Sequence, residues 1–137
     1  MIEMPGFVGN VVRSVGLSTA MKAAGVVTGL LPIPQPMLLV GPGASRRLGQ
    51  ALAGFGHKRI LVVTDATLVR MGLLKGFTQA LTKAGGEFVV FDAITADAPI
   101  PVVEKAIAFY RRRGCDAIVA FGGGSPMDAA KAIAYSA

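Results

Sequence analysis

The sequence has no tryptophan, one cysteine and one histidine, and only 16% of its 137 residues are charged. A lone cysteine, Cys115, cannot close an internal disulfide, and one thiol with one imidazole, His57, makes no metal cluster. This usage suits a reducing compartment, so a cytoplasmic location is expected. Cys115 directly precedes an apolar run and reads as a packed strand-edge residue with no predictable base beside it. His57 falls in the turn-like bridge Phe55-Gly56-His57-Lys58. Aromatics are sparse at 7% and do not alternate with basic residues, so a base-stacking platform for nucleic acid is not expected. The net charge of +6 is scattered, apart from Arg46-Arg47 and Arg111-Arg112-Arg113. The arginine triplet sits where a predicted helix ends, a position that the helix dipole favours for cations.

A long uninterrupted apolar run is also missing. Val15 to Leu31 is broken by Ser18, Thr19, Lys22, Thr28 and three glycines, and Pro32-Ile33-Pro34-Gln35-Pro36 closes it. It falls short of the roughly 20 apolar residues that a membrane span needs. Glu3 and Pro5 spoil the basic start of a signal peptide. Residues 1–36 therefore read as an N-terminal extension, one amphipathic helix packed on the body or on another subunit. No internal repeat is evident.

What the sequence does have is a composition 53% hydrophobic with 18 glycines. That excludes wholesale disorder, and the length suits one domain of about 100–200 residues. From Met37 onward, short apolar runs alternate with helix-period segments, the pattern of strands crossing over through helices onto a parallel sheet. The predicted strands are Met37–Val40, Arg59–Thr64, Glu87–Phe91 and Asp116–Phe121. Helices are predicted over Ala44–Ala53 and Leu74–Ala84, the latter stopped by Gly85-Gly86. A third has Val102, Val103, Ala106, Ile107 and Tyr110 on one face, and a last begins at Pro126. The fold class is α/β, a Rossmann-like parallel sheet with flanking helices over residues 37–137. Such sheets bind ligands beyond the carboxyl ends of their strands.

Two strand ends carry chemistry. The first is the turn Phe121-Gly122-Gly123-Gly124-Ser125-Pro126, which leads into a helix containing Asp128 and Lys131. Without side chains at Gly122, Gly123 and Gly124, backbone amides can approach a pyrophosphate at the helix N-terminus. The turn is not a P-loop, since no Gly-Lys-Ser/Thr ends it, and Met127 stands where a third glycine of GxGxxG would be. A plain capped helix fits as well, with Ser125 as N-cap, Pro126 first and Asp128 third in a short capping box. Three successive glycines exceed what a cap requires, so the ligand reading is favoured. The second end is Ile60-Leu61-Val62-Val63-Thr64-Asp65. A carboxylate there can accept hydrogen bonds from adenosine ribose hydroxyls and would repel the 2′-phosphate of NADP, while Asp65 as a helix cap is the competing reading.

The run Gly122-Gly123-Gly124-Ser125-Pro126-x-Asp128-x-x-Lys131, with Val63-Thr64-Asp65 before it, resembles the iron-containing (group III) alcohol dehydrogenases. Their superfamily also holds dehydroquinate synthase and glycerol dehydrogenase. The likeness covers about Leu31 to Ala137 and implies a dehydroquinate synthase-like N-terminal domain. It implies NAD as cofactor, with Gly122, Gly123, Gly124 and Ser125 on the pyrophosphate, Asp65 on the adenosine ribose, and Asp128 and Lys131 as cofactor-side polar residues. Those last two fit a surface ion pair equally. One departure is Ala98-Pro99-Ile100, where the family commonly has Asn-Pro-Thr.

The resemblance further implies a helical domain that binds a divalent metal, iron or zinc, and shapes the pocket for a small alcohol or aldehyde. No such residues are present, so the chain is expected to be the truncated cofactor-binding portion of a dehydrogenase, inactive by itself. A homo-oligomer is admitted; nucleic acid and a membrane span are not expected. The alternatives are a stand-alone nucleotide-binding module and the same half of a glycerol dehydrogenase-like enzyme.

Overall fold

The structure is a computed structural model and describes residues 37–137; the extension expected over 1–36 lies outside them. The fold is built around one strand. In β1 (Ile60–Val63) no residue is more than 1% exposed, which a run of branched aliphatic side chains permits only if both faces are covered. Its backbone groups are then met on both edges. It pairs in parallel with β2 (Phe88–Phe91), Ile60 opposite Phe88, and with β3 (Ala117–Ala120), Ile60 opposite Ala117, in the order β2-β1-β3.

Five helices make the crossovers and flanks among the described residues: α1 (Ala44–Ala53), α2 (Ala66–Arg70), α3 (Lys75–Lys83), α4 (Ile100–Arg112) and α5 (Gly124–Ser136). The two-residue period of β1 sorts them into two layers. Leu61 and Val63 pack with Ala106 of α4 and with Ala129, Ala130 and Ile133 of α5. Ile60 and Val62 face Leu74, Phe77 and Leu81, with Leu48 and Leu52 of α1 behind them. Each of the Leu, Ile, Val and Phe side chains here contributes about 1.5–3 kcal/mol on full burial. The outer helix α1 sits close against α3 because Gly49 has no side chain. A Cβ on Gly49 would lie 2.5 Å from the Phe77 carbonyl oxygen and 3.3 Å from the Ala80 Cβ.

The amino end of the sheet is tied by polar groups. Asp116 accepts the Lys58 and Arg59 amides at 2.8 and 3.0 Å, and its own amide donates to the Arg59 carbonyl at 3.0 Å. The Arg59 guanidinium reaches Glu87 at 2.9 Å and the Arg113 carbonyl at the end of α4 at 2.8 Å, so the residue before β1 meets the start of β2 through its side chain and that of β3 through its backbone on Asp116. The amides of Lys58 and then Arg59 keep the Asp116 carboxyl below its ordinary range.

Three of the four predicted strands form. β1 and β3 are each one residue shorter at either end than Arg59–Thr64 and Asp116–Phe121, and β2 starts one residue after Glu87. The strand predicted over Met37–Val40 does not form: Met37, Leu38 and Val40 are 62%, 83% and 72% exposed, and no strand among the described residues pairs with them. An apolar run supplies hydrophobicity, but a strand also needs a free edge to receive its amides and carbonyls. Here the Arg47 guanidinium takes up the Val40 carbonyl at 2.7 Å instead.

Gly49→Ala is expected to destabilise the fold by about 1–3 kcal/mol through overpacking against α3, read from urea unfolding followed by circular dichroism. A second test concerns acid. A folded-state pKa held below the unfolded one stabilises above the usual carboxylate range, and that stabilisation is lost as pH falls through the folded value. Asp116→Asn should therefore lower the melting temperature at neutral pH, and the gap to the parent should close as pH drops below about 4. A gap independent of pH would show that the carboxylate charge is not what holds the strand starts.

Candidate nucleotide-binding cleft

Parallel pairing brings all three strand carboxyl ends to one edge, and a cleft of about 620 Å³ opens there. Asp65, Thr67 and Leu68 follow β1, Ile94 to Ala96 follow β2, and Gly123 to Pro126 follow β3. The two ends singled out in the sequence, Asp65 and the glycine turn, thus share one cavity despite lying almost 60 residues apart.

Asp65 caps α2. Its Oδ1 accepts the Thr67 amide at 2.9 Å and the Leu68 amide at 3.0 Å, and its backbone is extended as an N-cap requires. The cap is thus observed, and the side chain also lines the cleft, where no donor among the described residues reaches Oδ2. A bridge between Asp65 and Ala93, with the Ile94 amide donating to the Thr64 carbonyl at 3.3 Å, ties the loops after β1 and β2 together. Thr64 itself is fully buried, and its hydroxyl has no partner among the described residues.

At the other wall, Gly122 has φ 141°, a conformation for which glycine is suited. Helix α5 begins at Gly124 with Gly123 as N-cap, and no side chain caps it. This corrects the expected capping box: Ser125 is the second helical residue, Pro126 the third, and Asp128 lies beyond the first turn with its carboxylate on Lys131. The glycines let the helix start earlier than Ser and Pro alone would dictate. Pro126, buried, removes one of the orphan amides of the first turn, and those of Gly123, Gly124 and Ser125 donate to no backbone carbonyl among the described residues. A Cβ on Gly123 or Gly124 would meet nothing within 4 Å, so the backbone there faces open space. Among the described residues no cationic side chain lines the cleft, and amide donors with the helix dipole are what they offer an anion there.

Asp128 and Lys131 are not brought into the cleft lining. They pair at 3.4 Å on the exposed face of α5, with side chains 73% and 79% exposed. Such pairs contribute a few tenths of a kcal/mol. Cys115 is buried in the α4/α5 core, where desolvation raises its thiol above the ordinary value, and His57 is exposed on its loop. Among the described residues no group of three or more His, Cys, Asp or Glu is placed to hold a metal, and no helix is long and apolar enough to cross a membrane.

The family model for iron-containing alcohol dehydrogenases matches residues 35–137. The chain belongs to that family. It is 35% identical over 97 residues to choline dehydrogenase of Bacillus subtilis (strain 168), covering 71% of this chain and 24% of that one. It is also 35% identical over 98 residues to the NAD-dependent methanol dehydrogenase of Bacillus methanolicus, covering 72% and 26%. The crystal structure of a 1,3-propanediol oxidoreductase superposes with a TM-score of 0.62 at 36% identity, over 66% of this chain and 24% of that one. The chain thus spans about a quarter of the length of the relatives it matches. In this family member the loop at Ala98-Pro99-Ile100 is reached through a tight turn, with the Ala98 amide on the Thr95 carbonyl at 3.2 Å and positive φ at Asp97 (61°) and Ala98 (38°). Thr95 and Ala96 were not foreseen as cleft residues: a turn of positive φ built without glycine leaves little trace in sequence.

Proposed function

We propose that this chain is the NAD-binding part of an iron-containing-type alcohol dehydrogenase that interconverts an alcohol with an aldehyde or ketone. The observation that carries the reading is the single cleft in which a half-free carboxylate, Asp65, faces a turn of open amides at Gly123, Gly124 and Ser125. The residues fit a dinucleotide on chemical grounds. Unpaired amides at a helix N-terminus suit a pyrophosphate, and the Asp65 Oδ2 suits the paired hydroxyls of a ribose. Gly122 shapes the turn, and Asp128 with Lys131 would bear on the cofactor only through the surface of α5. The NAD dependence of the Bacillus methanolicus relative supports the choice of cofactor.

When bound, the nicotinamide supplies the hydride acceptor; this chain's residues bind and orient the other half of the molecule. A divalent metal, iron or zinc, is part of the proposal for the longer enzyme, but the described residues offer no ligand set for it, and no step on this chain is assigned to it. The small alcohol or aldehyde would likewise be held by residues outside this quarter of the enzyme. Cytoplasmic location and a homo-oligomer belong to the same reading.

Gly123 has φ −88° and open surroundings, so Gly123→Val should fold with a melting temperature near the parent's. Its branched side chain would then stand where a pyrophosphate must approach, and NAD affinity by calorimetry should fall about tenfold or more. Unchanged affinity would remove the glycine turn from the site. For the ribose role the useful variant is Asp65→Ser, because serine preserves the helix cap while removing the charge. The preference for NAD over NADP should drop by about tenfold, equivalent to roughly 1.4 kcal/mol. Equal discrimination in variant and parent would sink the assignment.

A further inference from the structure

Three successive glycines are the loosest backbone a protein can use, so a defined turn must have its shape imposed from outside. The structure shows where that happens. A Cβ at Gly122 would lie 2.9 Å from the Leu68 Cδ1 and 3.0 Å from the Pro126 Cγ, whereas Gly123 and Gly124 have nothing within 4 Å. The turn is therefore gripped at its first glycine and open at the next two. Pro126 belongs to the same turn, but Leu68 comes from α2, on the opposite wall.

Leu68 is itself fixed at two points. Its amide donates to the Asp65 Oδ1 at 3.0 Å, and its side chain packs on the core formed by Ile60, Val62, Leu74, Phe77 and Leu81. We propose that Leu68 is a positioning residue for the glycine turn, transmitting the rigidity of that core to Gly122 so that the Gly123 and Gly124 amides are held in a ligand-receiving geometry. The carboxylate that faces the cleft and the turn across from it are then parts of one mechanical unit, Asp65 to Leu68 to Gly122. The ligand arm of the proposal rests on the nucleotide reading above; the backbone arm does not.

The test uses the 137-residue chain with Leu68→Ala and Leu68→Met, titrated with ADP-ribose, which carries a pyrophosphate, and with adenosine, which carries none. In Leu68→Ala the affinity for ADP-ribose should fall about tenfold or more, with adenosine changed less than about twofold, and Leu68→Met should restore ADP-ribose binding to within about threefold of the parent. Equal losses for both ligands would make Leu68 a direct contact to the nucleoside and overturn the positioning role, as would no loss for either. If the parent binds neither ligand, the nucleotide reading fails but the backbone order of the turn, read from nitrogen-15 relaxation, still decides the inference. The Gly123 and Gly124 amide order parameters should lie near the rigid value of about 0.85 in the parent and fall below about 0.6 in Leu68→Ala, with Leu68→Met close to the parent. Unchanged order parameters would overturn it. Should Leu68→Ala not fold, Leu68→Val carries the same comparisons, with smaller effects in the same direction.

Discussion

Everything in this fold hangs on a strand that has no exposed side. Ile60, Leu61, Val62 and Val63 are buried on both faces, and parallel partners occupy both edges. That arrangement forces helices onto each face, because a single layer would leave half of the strand's apolar surface in water. It also forces the crossovers to return to the same end, so that each strand points its carboxyl terminus toward one edge. The cleft is a consequence of satisfying β1.

The opposite edge shows what keeps the strands in step. Hydrophobic burial is indifferent to sliding by a residue pair, whereas Asp116 bonding two successive amides and Arg59 reaching both neighbours are not. The register of the sheet is thus specified at its amino end by short-range polar contacts, and read out at its carboxyl end as the separation between Asp65 and the glycine turn. Specification and use lie at opposite ends of the same three strands.

Much of this was legible in the sequence, for identifiable reasons. Apolar runs bounded by turn residues gave β1, β2 and β3, and helical spacing gave α1, α3 and α4, since period and punctuation are local properties. The meeting of Asp65 with the glycine turn followed from the rule for parallel sheets. Three things did not follow. Met37–Val40 has the composition of a strand, but pairing is a property of the partner, and none is at hand among the described residues. The start of α5 was misjudged because Ser125 and Pro126 are good capping residues at positions that the glycines had already made helical. The turn beside Thr95 and Ala96 has positive φ at Asp97, a residue type that tolerates it, and at Ala98, whose type gives no hint of it.

The cleft has three walls, each from the end of a different strand, and no wall is a strand itself. Substitution or length change in a wall therefore leaves the ladder of hydrogen bonds untouched, while the walls act on one another through Leu68 at Gly122 and through the bridge between Asp65 and Ala93. The loop after β2 carries neither the helix cap of α2 nor the start of α5, and it is anchored at its base by that bridge and by the buried Ile94. A scaffold of this kind separates the persistence of the fold from the choice of ligand, and lets relatives of common architecture diverge through whichever wall is least tied to it.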